Sequence, residues 1–207
     1  MPKKAFLNLS EETRNELMEK SMQLYASHPY EEVTLAMILE TLSLHPTTFY
    51  RYFDDKDELF CVILRNIALK RKAYLVETHD YSSDFFMFNV SNTTPLTDPE
   101  QEFVKCAFNA PAHVLLNMYT STFKDETVSE LKERLRLMRY DGKLRPDIDD
   151  DLISYIGATI PLNLMLFCRQ AGISDWETVG KVYRYFMENF FTHGLMTDEQ
   201  YSENNKK

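Results

Sequence analysis

Between Thr34 and Phe53 the apolar positions of the chain follow a helical spacing that breaks once, sharply. Leu35, Ile38, Leu39 and Leu42 keep the i, i+3, i+4, i+7 rhythm of a helix with one buried stripe, and Thr34 stands where a hydroxyl caps its first turn. Ser43 and Leu44 carry the turn. Pro46 then opens a second helix, because its fixed φ is already helical and its missing N–H is not needed at a first position. Phe49 and Phe53, one turn apart, point inward. At about 100° per residue Thr47 and Arg51 therefore point outward, flanked by Thr48 and Tyr50, with Tyr52 nearer the buried side. The pattern predicts a helix-turn-helix hairpin whose second helix shows a hydroxyl-rich face with one guanidinium.

Helical periodicity governs most of the remaining chain. Leu17, Met18, Ser21, Met22 and Tyr25 form the packed side of an upstream helix, and Leu59, Val62, Ile63, Ile67 and Leu75 that of a long helix from Lys56 to about Thr78. Asp80 to Pro99 loses the period but holds Phe85, Phe86, Met87 and Phe88, so it is a long connection, either a lid over a binding site or a loop anchored by its aromatics. Cys106 to Phe123 carries no charge, which predicts a helix buried on most sides, with Pro111 able to kink it. Two further helices are predicted over 147–171 and 175–194. The first is apolar nearly all round from Leu152 to Phe167, and the second carries a stripe of Val182, Tyr183, Phe186, Met187, Phe190 and Phe191. The fold class is all-α: an N-terminal three-helix helix-turn-helix domain over 1–55, a larger helical domain over 56–200 whose residues 56–78 form the connecting helix, and a polar, disordered tail over 201–207.

Composition narrows this picture. With 207 residues, 44% hydrophobic and only 5 glycines, the chain reads as globular and has room for one sizeable core or a small domain joined to a larger one. Three scattered cysteines, Cys61, Cys106 and Cys168, suggest neither a disulfide framework nor a zinc site, which favours a reducing cytoplasm. No N-terminal targeting signal is visible. The apolar run Leu152 to Cys168, interrupted by Ser154, Pro161 and Asn163, is too short and polar to span a bilayer comfortably, so no membrane partner is expected.

The net charge of −9 opposes nucleic-acid binding until its distribution is considered. Residues 1–75 hold 10 Lys/Arg against 11 Asp/Glu, and the rest 13 against 21. The acidity lies mostly outside the hairpin. On the hairpin, Arg51 can contact guanine through two hydrogen bonds, the threonines offer a hydroxyl and a methyl to base edges, and Tyr50 can donate to phosphate; alternatively the hairpin only packs. Lys3 and Lys4 form either a short basic arm that reaches a groove or a solvated terminus, while Lys70, Arg71 and Lys72, some 20 Å along the long helix from Lys56, read as a solvated face.

In the charge-free segment Asn109, His113 and Asn117 recur every four residues and share one face, with Cys106 near the same stripe. Uncharged polar groups on an apolar helix suit a cavity that orients a small ligand, or else a satisfied polar seam between helices or subunits. Asp147, Asp149, Asp150 and Asp151 gather at a predicted helix start, where capping explains them better than calcium, since the glycine and terminal glutamate of an EF-hand loop are absent. The five histidines are scattered, and neither a nucleophile–base frame, a Gly-rich phosphate loop nor an H-E-x-x-H motif is present, so neither an enzyme nor a bound cofactor is expected.

The residues Thr34, Ile38 and Leu44, the run TTFYRYF over 47–53 and the Lys56-x-Glu58-Leu59 start of the next helix resemble the N-terminal domain of the tetracycline-repressor (TetR) family. Upstream, ETRNELMEKSMQLYASHPYEEVT from Glu12 to Thr34 is similar to that family's first helix. FMENFFTHGL, from Phe186 to Leu195, echoes its end more weakly. The family usually has Gly in the turn and Ser before the recognition helix, where this chain has Ser43 and His45, and Thr47 replaces a common Gly. His45 is thus either a tolerated cap or an extra DNA contact.

The resemblance implies a homodimeric transcriptional regulator, a repressor by the family's habit, on a pseudo-palindromic double-stranded DNA operator. Thr34, Lys56 and Tyr50 would hold phosphates and Thr47, Thr48 and Arg51 base edges, with His45, Pro46 and Tyr52 as lesser contacts. A small, mostly apolar effector would enter near Cys106, Asn109, His113 and Asn117 and act through the long helix. The last two helices would pair with their copies, with Ile156, Ile160, Tyr183, Phe186, Met187 and Phe190 at the interface; alternatively they complete the core of one chain. Other possibilities are a ligand-independent regulator whose acidic second domain docks a protein, or a helical interaction module or enzyme that does not bind DNA.

Overall fold

A computed structural model of the chain describes residues 2–78, 96–119 and 124–195. Among them helices account for nearly all regular structure: α1 (Lys4–Leu7), α2 (Glu11–Ser27), α3 (Leu35–Leu42), α4 (Pro46–Tyr52), α5 (Lys56–Thr78), α6 (Asp98–Asn109), α7 (Ala112–Met118), α8 (Lys124–Tyr140), α9 (Asp150–Gln170), α10 (Trp176–Phe186) and α11 (His193–Leu195), with a π-helical stretch Met187–Thr192 before α11. By packing the chain divides into two units, residues 2–78 with 96–119 and residues 124–195. The packing therefore groups α5, α6 and α7 with the hairpin, where the sequence draws a functional boundary after residue 55.

In the first unit the caps are those the sequence offers. Ser10 Oγ accepts from Thr13 N (3.2 Å) at the start of α2, and Thr34 Oγ1 from Met37 N (3.3 Å) at the start of α3. Two groups of rings build the core. Phe6, Phe49 and Phe53 lie under the hairpin, Phe6 and Phe53 with centroids 4.9 Å apart. Tyr25, Tyr30, Phe60 and Phe103 join α2, α5 and α6, Phe60 and Phe103 4.8 Å apart and Tyr25 edge-on to Phe60 at 4.9 Å. Each buried ring contributes about 1.5–3 kcal/mol of burial.

The segment predicted as one charge-free helix is two. Ala110 is extended (φ −61°, ψ 152°), as a residue before proline prefers, and Pro111 stands ahead of α7 rather than inside a kinked helix. At the start of α6 Thr97 and Glu100 form a capping box, and the Glu100 carboxylate also takes Lys70 Nζ at 2.8 and 2.9 Å. Lys70, predicted to be solvated, thereby ties α5 to α6.

In the second unit α8 packs along α9 around Leu135, Leu144 and Leu195. Of the four aspartates expected to cap, Asp149 alone does, its Oδ1 accepting from Leu152 N at 2.8 Å; the others form ion pairs, Asp151 with Lys132 (2.8 Å), Asp150 with Arg139 (2.5 Å) and Asp147, ahead of the helix, with Arg145 (2.7 Å). Gly172 (φ +70°) closes α9 in the left-handed conformation that glycine adopts freely. The aromatic stripe of the last helix is re-phased by the π stretch: Tyr183 and Met187 are buried, whereas Phe190 is 58% exposed. Helix α9 is long and apolar enough to cross a membrane by length and composition, with Pro161 inside it.

Candidate nucleic-acid interface

The hairpin turn is made by Ser43 with φ +52°, a left-handed conformation at the end of α3, closed by Ser43 N donating to Glu40 O (3.1 Å) and Leu44 N to Leu39 O (2.9 Å). His45 is extended, and its Nδ1 accepts from Thr47 N at 3.3 Å. It is a cap, the first of the two roles its sequence position allows. Phe49 and Phe53 are fully buried, which fixes the rotation of α4 and leaves Thr47, Tyr50 and Arg51 exposed, with Thr48 and Tyr52 half-buried and Pro46 exposed. The outward face drawn from the sequence is the face that the packing leaves open.

The C-terminal end of α4 is held by a residue distant in sequence. Lys3 N donates to Tyr52 O (2.9 Å), Lys3 Nζ donates to Tyr50 O (2.9 Å) and pairs with Asp54 (2.6 Å), so a cation sits at the C-terminus of α4, where the helix dipole favours it. The basic arm is thus folded onto the hairpin rather than extended from it. Lys56 Nζ donates to Tyr30 O (3.1 Å) and Val33 O (2.8 Å) and lies 4.3 Å from the Tyr30 ring centroid, locking the loop before Thr34. Tyr30 Oη also donates to Asp57 in a very close contact, and burial pushes the Tyr30 phenol far above its usual range, with Asp57 adding to the shift. Tyr30, Asp57 and Glu100 escaped the sequence analysis, because their partners lie 26 or more residues away and periodicity reports only local faces.

Residues 17–62 match the family model described as bacterial regulatory proteins, tetR family. The N-terminal domain of this chain is that of the TetR family. The HTH-type transcriptional regulator TcmR of Streptomyces glaucescens is 36% identical over 63 residues, 30% of this chain; the match spans only 26% of TcmR's own length. The structure of SmeT, the repressor of the Stenotrophomonas maltophilia multidrug efflux pump SmeDEF, is 13% identical and superposes with a TM-score of 0.55, covering 93% of each chain. That likeness is one of fold alone, and it takes in the helices beyond residue 62 as well. A TetR family transcriptional regulator from Chloroflexus aurantiacus J-10-FL is 19% identical over 95% of this chain and 99% of its own, with a TM-score of 0.44.

The polar stripe expected to line an effector pocket is divided by the break at Pro111. Cys106 Sγ donates to His28 O (3.6 Å), Asn109 is exposed with its Nδ2 donating to Lys105 O (3.1 Å), and His113 Nε2 lies 3.7 Å from Asp57 Oδ2 with its side chain mostly in solvent. Asn117 alone of the four lines a half-open cleft of about 630 Å³, shared with Phe6, Met18, Val62 and Arg65. Burial pushes the Cys106 thiol up to about 11 and the Cys61 thiol up to about 12, so both stay protonated and poorly nucleophilic near neutrality. Among the residues expected at a subunit interface, Ile160, Tyr183 and Met187 are buried within the single chain and Phe186 is half-buried, while Ile156 and Phe190 are exposed beside Leu152, Tyr155 and Phe167 of α9 and Tyr185 of α10. The loop expected over 80–99 lies outside the described residues up to Pro95, and from Asp98 it is already helix α6; the tail over 201–207 lies outside them as well.

Proposed function

We propose that the chain is a cytoplasmic transcriptional regulator, a repressor and not an enzyme, that binds a pseudo-palindromic operator as a homodimer and is released by a small, mostly apolar molecule. The observation that carries this is α4: a helix in the TetR-family recognition position, capped by His45 and held at its C-terminus by Lys3, with Thr47, Tyr50 and Arg51 exposed over two fully buried phenylalanines. In this reading Thr47, Thr48 and Arg51 meet base edges, Thr34 and Tyr50 hold phosphates, and His45, Pro46 and Tyr52 border the contact. Lys56 gives two of its three N–H donors to carbonyls and keeps the third for a phosphate. Two copies present their α4 helices about 34–36 Å apart, one turn of DNA. The exposed apolar side chains of α9, α10 and the π stretch supply the dimer contact, so that α9 meets its copy rather than a bilayer. Release works through α7, whose His113 touches Asp57 at the first turn of α5.

Selection of bound fragments from genomic DNA, followed by a screen for compounds that release them, tests the proposal. A two-fold symmetric footprint is the expected result. Arg51→Ala is expected to weaken binding by about 1–3 kcal/mol and to relax one base position in each half-site, with the dimer still folded. Unchanged specificity in that variant would remove α4 from the role of reader.

A further inference from the structure

His45 touches its own helix through one ring nitrogen. Nδ1 lies 3.3 Å from Thr47 N and 3.1 Å from Thr47 Oγ1. Pro46 has no N–H, so Thr47 N is the first donor of α4 that needs a partner, and a backbone N–H can only donate. Nδ1 must therefore hold a lone pair, and the neutral ring carries its proton on Nε2. The hydroxyl follows from this. With a lone pair on Nδ1, an Oγ1 at 3.1 Å that turned its proton elsewhere would set lone pair against lone pair. The other tautomer, protonated on Nδ1, would satisfy Oγ1 but would oppose N–H to N–H and remove the cap. Both distances are satisfied together only when the Thr47 hydroxyl proton points at His45, which leaves the outward side of Oγ1 as lone pairs.

We propose that His45 is a positioning residue that fixes the hydrogen-bond polarity of Thr47, so that the base facing Thr47 is one with an exocyclic amino group in the major groove. Adenine and cytosine donate there through N6 and N4, whereas thymine and guanine present O4 and O6, which an acceptor cannot bind. The inference rests on α4 being the DNA reader and deepens that role: a hydroxyl that would otherwise read either kind of edge is committed to one. His45 itself need not touch DNA for this.

The experiment is selection from a random-sequence duplex pool by the full-length chain and by three variants, Thr47→Val, His45→Ala and His45→Asp. The position read by Thr47 is the one whose preference changes in Thr47→Val, which keeps the shape and loses the hydroxyl. The wild-type chain is expected to favour adenine or cytosine there by about fivefold, the worth of one hydrogen bond. Aspartate can only accept, so His45→Asp keeps that preference although its charge lowers affinity for every sequence. His45→Ala frees the hydroxyl to rotate and brings the preference close to even, while the position read by Arg51 stays as it was. A wild-type preference that does not separate adenine and cytosine from thymine and guanine along one strand, such as purine over pyrimidine or A·T over G·C, overturns the proposal, as does persistence of that separation in His45→Ala or its loss in His45→Asp. A wild-type chain that selects no consensus at all defeats the assignment of α4 as reader, and is told apart from these outcomes by the absence of any fixed position.

Discussion

At position 43 a serine holds a backbone conformation that suits glycine. Its φ of +52° brings Cβ close to the neighbouring carbonyl, a cost that glycine avoids. Ser43→Gly is therefore expected to stabilise the reader by roughly 0.5–1 kcal/mol, after allowance for the greater freedom of glycine in the unfolded chain, and to leave operator binding unchanged. Urea unfolding followed by circular dichroism checks the first expectation; a fall in stability would mean that the serine side chain contributes more than its backbone costs. The sequence points to this position only through the resemblance, since the family usually has Gly in the turn where this chain has Ser43. It also indicates which side of α4 faces out, since Phe49 and Phe53 leave little choice. What it does not indicate is that Lys3 and Lys56 hold backbone carbonyls, for a lysine near the end of a helix looks the same whether it reaches for a phosphate or for the protein.

Between elements, the ion pair of Lys70 with Glu100 is the clearest tie. Burial alone would raise the Glu100 carboxyl, but hydrogen bonds from Lys70 Nζ (2.8 Å), Thr97 N (2.7 Å) and Thr97 Oγ1 (3.1 Å) outweigh it and hold the group below the usual carboxylate range. A carboxyl lowered in the folded state stabilises the protein above its unfolded pKa, and that contribution is lost as the pH falls through the lower folded value. Lys70→Met leaves a buried carboxylate with one partner fewer. The expected cost at neutral pH is about 1 kcal/mol, the low end for such a loss because the Lys70 side chain is 48% exposed and screened. In the variant the folded carboxyl lies closer to its unfolded value, so less stability is lost on acidification and the stability-versus-pH curve should be flatter across the carboxylate range, measured by urea unfolding; an unchanged slope would show that Thr97 alone sets the Glu100 carboxyl. The break between α6 and α7 belongs to the same scale. A proline inside a charge-free run is compatible with a kink or with two helices, and Ala110, whose side chain is fully buried, joins two helices rather than lengthening one.

At the scale of the whole molecule, a net charge of −9 gives a single reader little electrostatic hold on DNA, which is why the proposed operator binding calls for two readers acting together. The exposed apolar side chains of α9, α10 and the π stretch are where a second copy would attach. Phe190, stacked on Phe186 at 5.7 Å and 58% exposed, can be changed without opening a cavity in the core. Phe190→Glu is expected to convert the dimer to a folded monomer in analytical ultracentrifugation and to lower operator affinity by about a hundredfold or more, as one of two linked contacts is lost. A variant that stays dimeric places the interface away from Phe190.

The sequence by itself determined that the chain is helical, that a helix-turn-helix lies between Thr34 and Phe53, and which side chains that hairpin turns outward. These follow from spacing, caps and a proline, all of which act within a few residues. Only the tertiary structure decided that α5, α6 and α7 pack as one unit with the hairpin, that the polar stripe from Cys106 to Asn117 is cut in two, and that half of the expected interface stripe is core. The reason is physical. A periodic apolar stripe says that a face must be covered, and the same stripe is satisfied by a neighbouring helix, a ligand or a second copy; which one covers it is fixed only when distant segments meet.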